Sequence, residues 1–215
     1  MVVTLPPHLD AVSLVALAER LEARDGPAVL EGRDAAFCLG LSLECGPDPG
    51  AVEAFVRCVV AIRCGPPVVA FVTGPARGGG VGLAAAADRV LATADASFAL
   101  PEVWFGLVPG AIAPLLAERI RPAELRWLAM TGGTLTAAEA RGIGLVDRVV
   151  DGSGAVSESL EALRRACPDA LLELKRSTAP VEAVRRGAER TLERLRDPAV
   201  QARIGRFLDG EAPWP

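Results

Sequence analysis

The sequence predicts an α/β fold. Three observations carry this. Short apolar runs of strand length alternate with stretches of helical period through residue 150. Glycine and proline bound those runs. The chain beyond is mostly helical and rich in Arg, Glu and Leu. With 215 residues, 51% of them hydrophobic and 23% charged, one packed domain is expected. Residues 1–150 read as the core, and 151–215 as a helical C-terminal region of the same unit.

The elements follow in order. Val2–Leu5 is a short apolar run that Pro6-Pro7 ends. Asp10 is placed to cap a helix with Leu14, Leu17, Ala18 and Leu21 on one face, and Gly26-Pro27 stops it. Ala28–Leu30 reads as a buried strand, and Phe37–Leu41 is an apolar segment with Gly40 where the chain can turn sharply. Asp48-Pro49 sets a capping oxygen before a proline at the first helical position. Val52, Phe55, Val56, Val59 and Val60 then keep the helical period as far as Gly65-Pro66-Pro67. Val68–Val72 is a second buried strand, leading through Gly74-Pro75 into Gly78-Gly79-Gly80-Val81-Gly82. Leu83–Ala87 is alanine-rich and helical, while Arg89–Ala92 and Ser97–Leu100 are strand-like. A helix is predicted over Pro122–Met130. Thr136 and Glu139 form a capping box before a short helix closed by Gly142. Leu145–Val150 is again strand-like, and from about Ser157 to Leu208 the chain is mostly helical.

Composition excludes several function classes. No apolar run reaches the roughly 18 residues of a membrane helix, and the N-terminus lacks the order of a signal peptide, so a cytoplasmic location is expected. Five cysteines at irregular spacing make neither a disulfide framework nor a zinc pattern. A net charge of −4 without a basic stripe argues against nucleic acid.

The densest unusual chemistry is the glycine run at 78–82. Without a β-carbon the backbone can approach a ligand closely, and a loop between strand and helix aims its amides from the positive end of the helix dipole. No Gly-Lys-Ser/Thr follows, so it is not a P-loop, and the dinucleotide glycine spacing is absent. A stabilised oxyanion is the better use, although the glycines alone also allow a tight turn without chemistry. Glu102 is the second candidate. It is an acid within the apolar and aromatic segment Leu100–Gly110, surroundings that raise a carboxyl pKa and suit a proton shuttle; by itself it also fits a helix-capping or surface acid. His8, the single histidine, reads as a surface residue, which leaves no Ser-His-Asp triad. Cys38, Cys58 and Cys64 read as core packing. Arg185, Arg186, Arg190, Arg194 and Arg196 read as a solvated face with Glu189 and Glu193 as partners.

Several segments in register resemble the crotonase (enoyl-CoA hydratase/isomerase) superfamily: Pro66–Gly74, Gly78–Gly80, Ala87-Asp88, Phe98–Gly110, Leu135–Ala140 and Gly142–Val146. The resemblance covers about residues 2 to 150 and is weaker over the tail. It implies a crotonase-like spiral of ββα turns, with a helical C-terminal region that builds homotrimers or hexamers. It also implies that the N–H groups of Leu41 and Gly79 form an oxyanion hole for a thioester carbonyl. Such donors are typically worth roughly a hundred- to a thousandfold in rate.

Two departures narrow what the resemblance implies. The position of one of the two usual hydratase glutamates is Gly82, which leaves Glu102 as the catalytic acid. The usual first strand of the N-terminal hairpin is missing, which exposes a sheet edge that the tail or another subunit would cover. One glutamate, the Phe-Gly-Leu turn at 105–107, Pro114-Leu115-Leu116 and Pro213-Trp214 resemble the dehydratases of polyketide β-branching most. The implied reaction is loss of water from 3-hydroxy-3-methylglutaryl-ACP to 3-methylglutaconyl-ACP, with the substrate carried on acyl carrier protein (ACP) or on CoA. No metal or redox cofactor is called for. Ser42, Gly78, Gly80, Gly82, Arg33 and Arg77 are candidate substrate-binding residues, the arginines for a carboxylate or a phosphate. A Δ3,Δ2-enoyl-CoA isomerase and a non-catalytic crotonase-like partner subunit are the alternatives.

Overall fold

The computed structural model describes residues 1–33, 35–44 and 48–213. Trp214, half of the Pro-Trp ending, lies outside the described residues. Two sheets run through the core. The larger contains β1 (Val2–Leu5), β2 (Ala28–Gly32), β3 (Val68–Val72), β5 (Arg89–Ala92) and β8 (Arg148–Val149), all parallel and in that order, with β1 at an edge. The smaller joins β4 (Pro75–Arg77), β6 (Ser97–Ala99) and β7 (Thr134–Thr136). β1 and β2 lead to helices α1 (Ala11–Glu22) and α2 (Pro49–Cys64) past isolated bridges at Leu9 and Cys38, whereas the next turn makes a short strand of the second sheet before its helix. Thus β3 and β4 lead into α3 (Gly79–Ala86). Central β3 reads as a continuous apolar run because both of its faces are covered.

Local chemistry explains most boundaries. Asp10 caps α1 (Ala11–Glu22) by accepting from the Ser13 N–H at 2.7 Å, while the Ser13 hydroxyl accepts from Asp10 at 2.9 Å. Asp48 caps α2 (Pro49–Cys64) through the Gly50 N–H. The expected box at α6 (Ala137–Ile143) forms between Thr136 and Glu139, but the terminator differs. Gly142 stays within the last turn and Gly144, at φ 95°, closes it. The following N–H groups of Leu145 and Val146 both bond to the Ala140 carbonyl. They are therefore spent on the helix end, and β8 is only Arg148–Val149 rather than the whole of 145–150.

The tail packs back onto its own core. On one face of the larger sheet, α7 (Gly154–Arg164) covers Val29, Val69 and Leu91 with Ala155 and Val156. From α8 (Pro168–Thr178), Lys175 reaches in to the Asp88 carboxylate and to the Pro66 carbonyl. Helix α9 (Val181–Leu195) lies against α2 and α4 (Ala113–Ala117), and α10 (Pro198–Leu208) lies on the 3₁₀ turn Pro101–Phe105. There Phe207 meets Phe105 edge to face, with ring centroids 5.0 Å apart. Among the described residues no helix is long and apolar enough to cross a membrane.

Candidate active site

The segment after β2 threads between the loop at Leu9 and β4. Leu9 donates to the Gly40 carbonyl at 2.9 Å, Ser42 to Leu9 at 2.7 Å, and Arg77 to Cys38 at 2.9 Å. Gly40 has φ +87°, and a β-carbon there would lie 2.8 Å from the Arg77 carbonyl oxygen and 3.2 Å from the Gly79 nitrogen. Only glycine allows this approach, and it sets the peptide leading to Leu41 beside the start of α3. Gly79 is the first residue of α3, where N–H groups have no partner within the helix. Neither the Leu41 nor the Gly79 N–H donates to another backbone group among the described residues. Two donors without a backbone partner among the described residues therefore come from adjoining segments, one of them on the positive end of a helix.

Glu102 comes to the same place from the 3₁₀ turn that follows β6. Its Oε1 lies 2.9 Å from where a β-carbon on Gly78 would stand. Gly78 itself is held by its N–H on the Ala99 carbonyl, at φ +48°. The residue keeps some surface on the cavity side, yet Oε2 is buried and has no hydrogen-bond partner among the described residues. Burial without a cationic partner pushes this carboxyl up to about 7.

All three groups line one cavity of about 720 Å³. Leu41, Leu43, Val52, Phe55, Ile112 and Leu195 make much of its wall. Ser42, Gly78 and Arg77 line it too, and Arg77 is the one Lys or Arg among the described lining residues. Its guanidinium is half-buried and bonds to Ser97 and to the Ala76 carbonyl. Arg33 is exposed and not on the cavity wall. Gly80 is buried away from the cavity, where a β-carbon would lie 2.1 Å from the Cys38 carbonyl oxygen, so its part is close packing. Gly82 is likewise off the wall. A β-carbon on it would come within 2.8 Å of Phe55 Cζ and 3.0 Å of Ile112 Cγ1. The place where the resemblance expects the other glutamate is thus filled by two apolar side chains.

Other expectations resolve in the same way. His8 is exposed at the cavity wall. Burial pushes the Cys38 thiol up to about 11 and the Cys58 thiol up to about 12, as suits packed thiols rather than nucleophiles. Arg185, Arg186, Arg190 and Arg196 are exposed, whereas the half-exposed Arg194 donates to the Gly106 carbonyl. The wall residues Thr191, Leu195, Ile204 and Phe207 come from the tail, which the sequence reading leaves unplaced. The apolar spacing of α9 signals a buried face without saying what that face covers.

Residues 16–201 match the family model described as enoyl-CoA hydratase/isomerase, and the chain belongs to that family. Among curated relatives, a carnitinyl-CoA dehydratase from Proteus mirabilis is 34% identical over 149 residues, 65% of this chain. The chain spans 57% of that relative's length. A carnitinyl-CoA dehydratase from Salmonella paratyphi A is 33% identical over 195 residues, 81% of this chain and 75% of the relative. Among solved structures, an enoyl-CoA hydratase from Mycobacterium avium paratuberculosis K-10 superposes with a TM-score of 0.86 at 25% identity. That match covers 99% of this chain and 92% of the other. A Bacillus subtilis protein described as a polyketide biosynthesis enoyl-CoA hydratase superposes with a TM-score of 0.83, over 97% and 93% of the two chains. At 21% identity that likeness speaks for the fold.

Proposed function

We propose that this protein is a hydro-lyase that removes water from a β-hydroxyacyl thioester, with Glu102 as its single proton shuttle. The observation that carries the reading is the isolation of that acid. One carboxyl lies beside Gly78–Gly79, and the place of a second is closed by Phe55 and Ile112. The Leu41 and Gly79 amides hold the thioester oxygen as negative charge develops there. Glu102 takes the α-proton, the electron pair moves into the carbonyl, and the resulting enolate expels the β-hydroxyl. That group leaves as water with the proton Glu102 has just taken. A carboxyl near 7 is matched to both halves of the exchange at neutral pH.

The printed activity of the carnitinyl-CoA dehydratases supports dehydration. For the particular substrate we take 3-hydroxy-3-methylglutaryl-ACP, on the one-glutamate pattern and the resemblance of the Phe105–Leu107 and Pro114–Leu116 segments to the dehydratases of polyketide β-branching. In this reading Arg77 meets the far carboxylate, ACP or CoA carries the acyl group, and the chain assembles as a trimer or hexamer, which sedimentation measures. The closed wall at Gly82 also favours a second reading, a Δ3,Δ2-enoyl-CoA isomerase, because moving one proton between two carbons needs one carboxyl.

The test incubates the purified protein with 3-hydroxy-3-methylglutaryl-ACP, with 3-hydroxybutyryl-CoA and with a Δ3-enoyl-CoA, and follows the products by mass spectrometry and absorbance. Loss of one water, abolished in Glu102→Gln, is expected. Undiminished water loss in that variant removes Glu102 from the mechanism. Turnover of the Δ3-enoyl ester alone transfers the protein to the isomerases.

A further inference from the structure

One face of α9 grips the chain that follows Glu102. Gly187 and Gly110 touch backbone to backbone. A β-carbon on Gly110 would lie 2.0 Å from the Gly187 carbonyl oxygen, and one on Gly187 would lie 1.9 Å from that of Gly110. The Thr191 hydroxyl donates to the Val108 carbonyl at 3.2 Å. Arg194 Nε donates to the Gly106 carbonyl at 2.8 Å, while its Nη1 is held by Asp197 at 2.8 Å. Positions 187, 191 and 194 share one helix face, so a single surface meets residues 106, 108 and 110 in turn.

Gly106 is the joint of this arrangement. At φ +78° it closes the 3₁₀ turn that carries Glu102, its N–H bonds to the Val103 carbonyl, and the next N–H, of Leu107, bonds to Glu102 itself. A bond from a guanidinium is stronger than one between neutral groups, and the pair with Asp197 fixes the fork beforehand. Near the same end of the turn, Trp104 Nε1 donates to the Thr131 carbonyl at 3.0 Å.

We propose that Arg194 is a positioning residue for Glu102: through the Gly106 carbonyl it holds the turn that aims the carboxyl at the oxyanion site. The aim of the acid thus depends on a helix far along the chain. The inference rests on the reading of Glu102 as the proton shuttle.

Arg194→Met and Arg194→Lys are compared with the unaltered protein by kcat, KM, the pH profile of kcat and thermal denaturation. The other titratable groups on the cavity wall are His8, Asp10, Glu44, Asp48, Arg77 and Glu211. A His8→Gln control removes the wall's imidazole. Facing the turn from α9 and α10 are Arg194, its partner Asp197, which caps α10, and Arg203, whose Cδ lies 3.8 Å from where a β-carbon on Gly106 would stand; the first two are the pair under test. Arg194→Met is expected to lower kcat roughly ten- to a hundredfold with KM changed less than about twofold, a loss typical of a misplaced catalytic group. The acidic limb should move to lower pH as the loosened carboxyl meets water, and Arg194→Lys should recover part of both. A fall in kcat and melting temperature with the limb unmoved makes Arg194 merely structural and overturns the proposal, as does unchanged kcat. Should Arg194→Met fail to fold, Asp197→Asn frees the same guanidinium, and its limb is expected to move the same way; an unmoved limb counts against the proposal. If the unaltered protein removes water from no β-hydroxyacyl thioester, the functional reading fails. Carboxyl ¹³C titration of Glu102 then decides this inference separately, with a lower midpoint in the variant expected and an unchanged one contradicting it.

Discussion

Replacing Glu102 by Gln should stabilise the protein at alkaline pH while removing its chemistry. The carboxyl titrates at about 7 in the fold against 4.5 in an open chain, chiefly because burial penalises the charge. At about 1.4 kcal/mol per tenfold change in proton affinity, the charged form is about 3 kcal/mol less favourable inside than in water. The sign follows from the raised value. The protonated acid contributes its full stability below 4.5, and that contribution is lost as pH rises through about 7. Glutamine has the same shape and never ionises, so Glu102→Gln gains little near pH 5 and about 3 kcal/mol at pH 8.5. For a chain of this length that is roughly 6–12 °C in melting temperature. Paired melts at the two pH values measure it, and α-proton exchange in the same samples should fall by roughly a hundredfold or more. An equal offset at both pH values, or a variant that melts lower at pH 8.5, would refute the buried, unpartnered carboxyl.

Three further outcomes follow from the packing. Gly82→Ala sets a β-carbon 2.8 Å from Phe55, and overpacking should cost about 1–3 kcal/mol in urea unfolding, partly recovered by adding Phe55→Leu. Gly40→Ala forces a left-handed backbone and a 2.8 Å contact with the Arg77 carbonyl. Steady-state kinetics should show kcat down roughly a hundred- to a thousandfold as the Leu41 amide is displaced, with a smaller change in KM. Lys175→Met removes the cation from an Asp88 carboxylate that is partly exposed and keeps the Val68 N–H. The cost should be about 1–2 kcal/mol, partly relieved by adding Asp88→Asn, as a double-mutant cycle reports.

The parts of the fold legible in the sequence are those whose signals are local. Asp10, Asp48 and the Thr136–Glu139 pair mark helix starts because a capping side chain reaches only two or three residues. Val68–Val72 reads as a strand because it is buried on both faces. The smaller sheet is harder. Its strands are three residues long, too short for any period, and β4 opens on Pro75. The acid and the two amides are legible through the glycines and the family pattern. Phe55 and Ile112 closing the place at Gly82 are not, because positions 55, 82 and 112 meet only in the folded chain. Arg194 reads as one of several surface arginines on α9, and its distinction lies wholly in the carbonyl opposite it. Arg33 lies near the site in sequence and off it in space.

The most direct measurement is a crystal structure with a pantetheine-linked analogue whose thioester carbonyl is intact but whose β-hydroxyl cannot leave. The carbonyl oxygen should lie about 3 Å from both the Leu41 and Gly79 nitrogens, with the Glu102 carboxyl facing the α-carbon. A carbonyl bound elsewhere in the cavity, or Glu102 turned from it toward bulk water, would contradict the account.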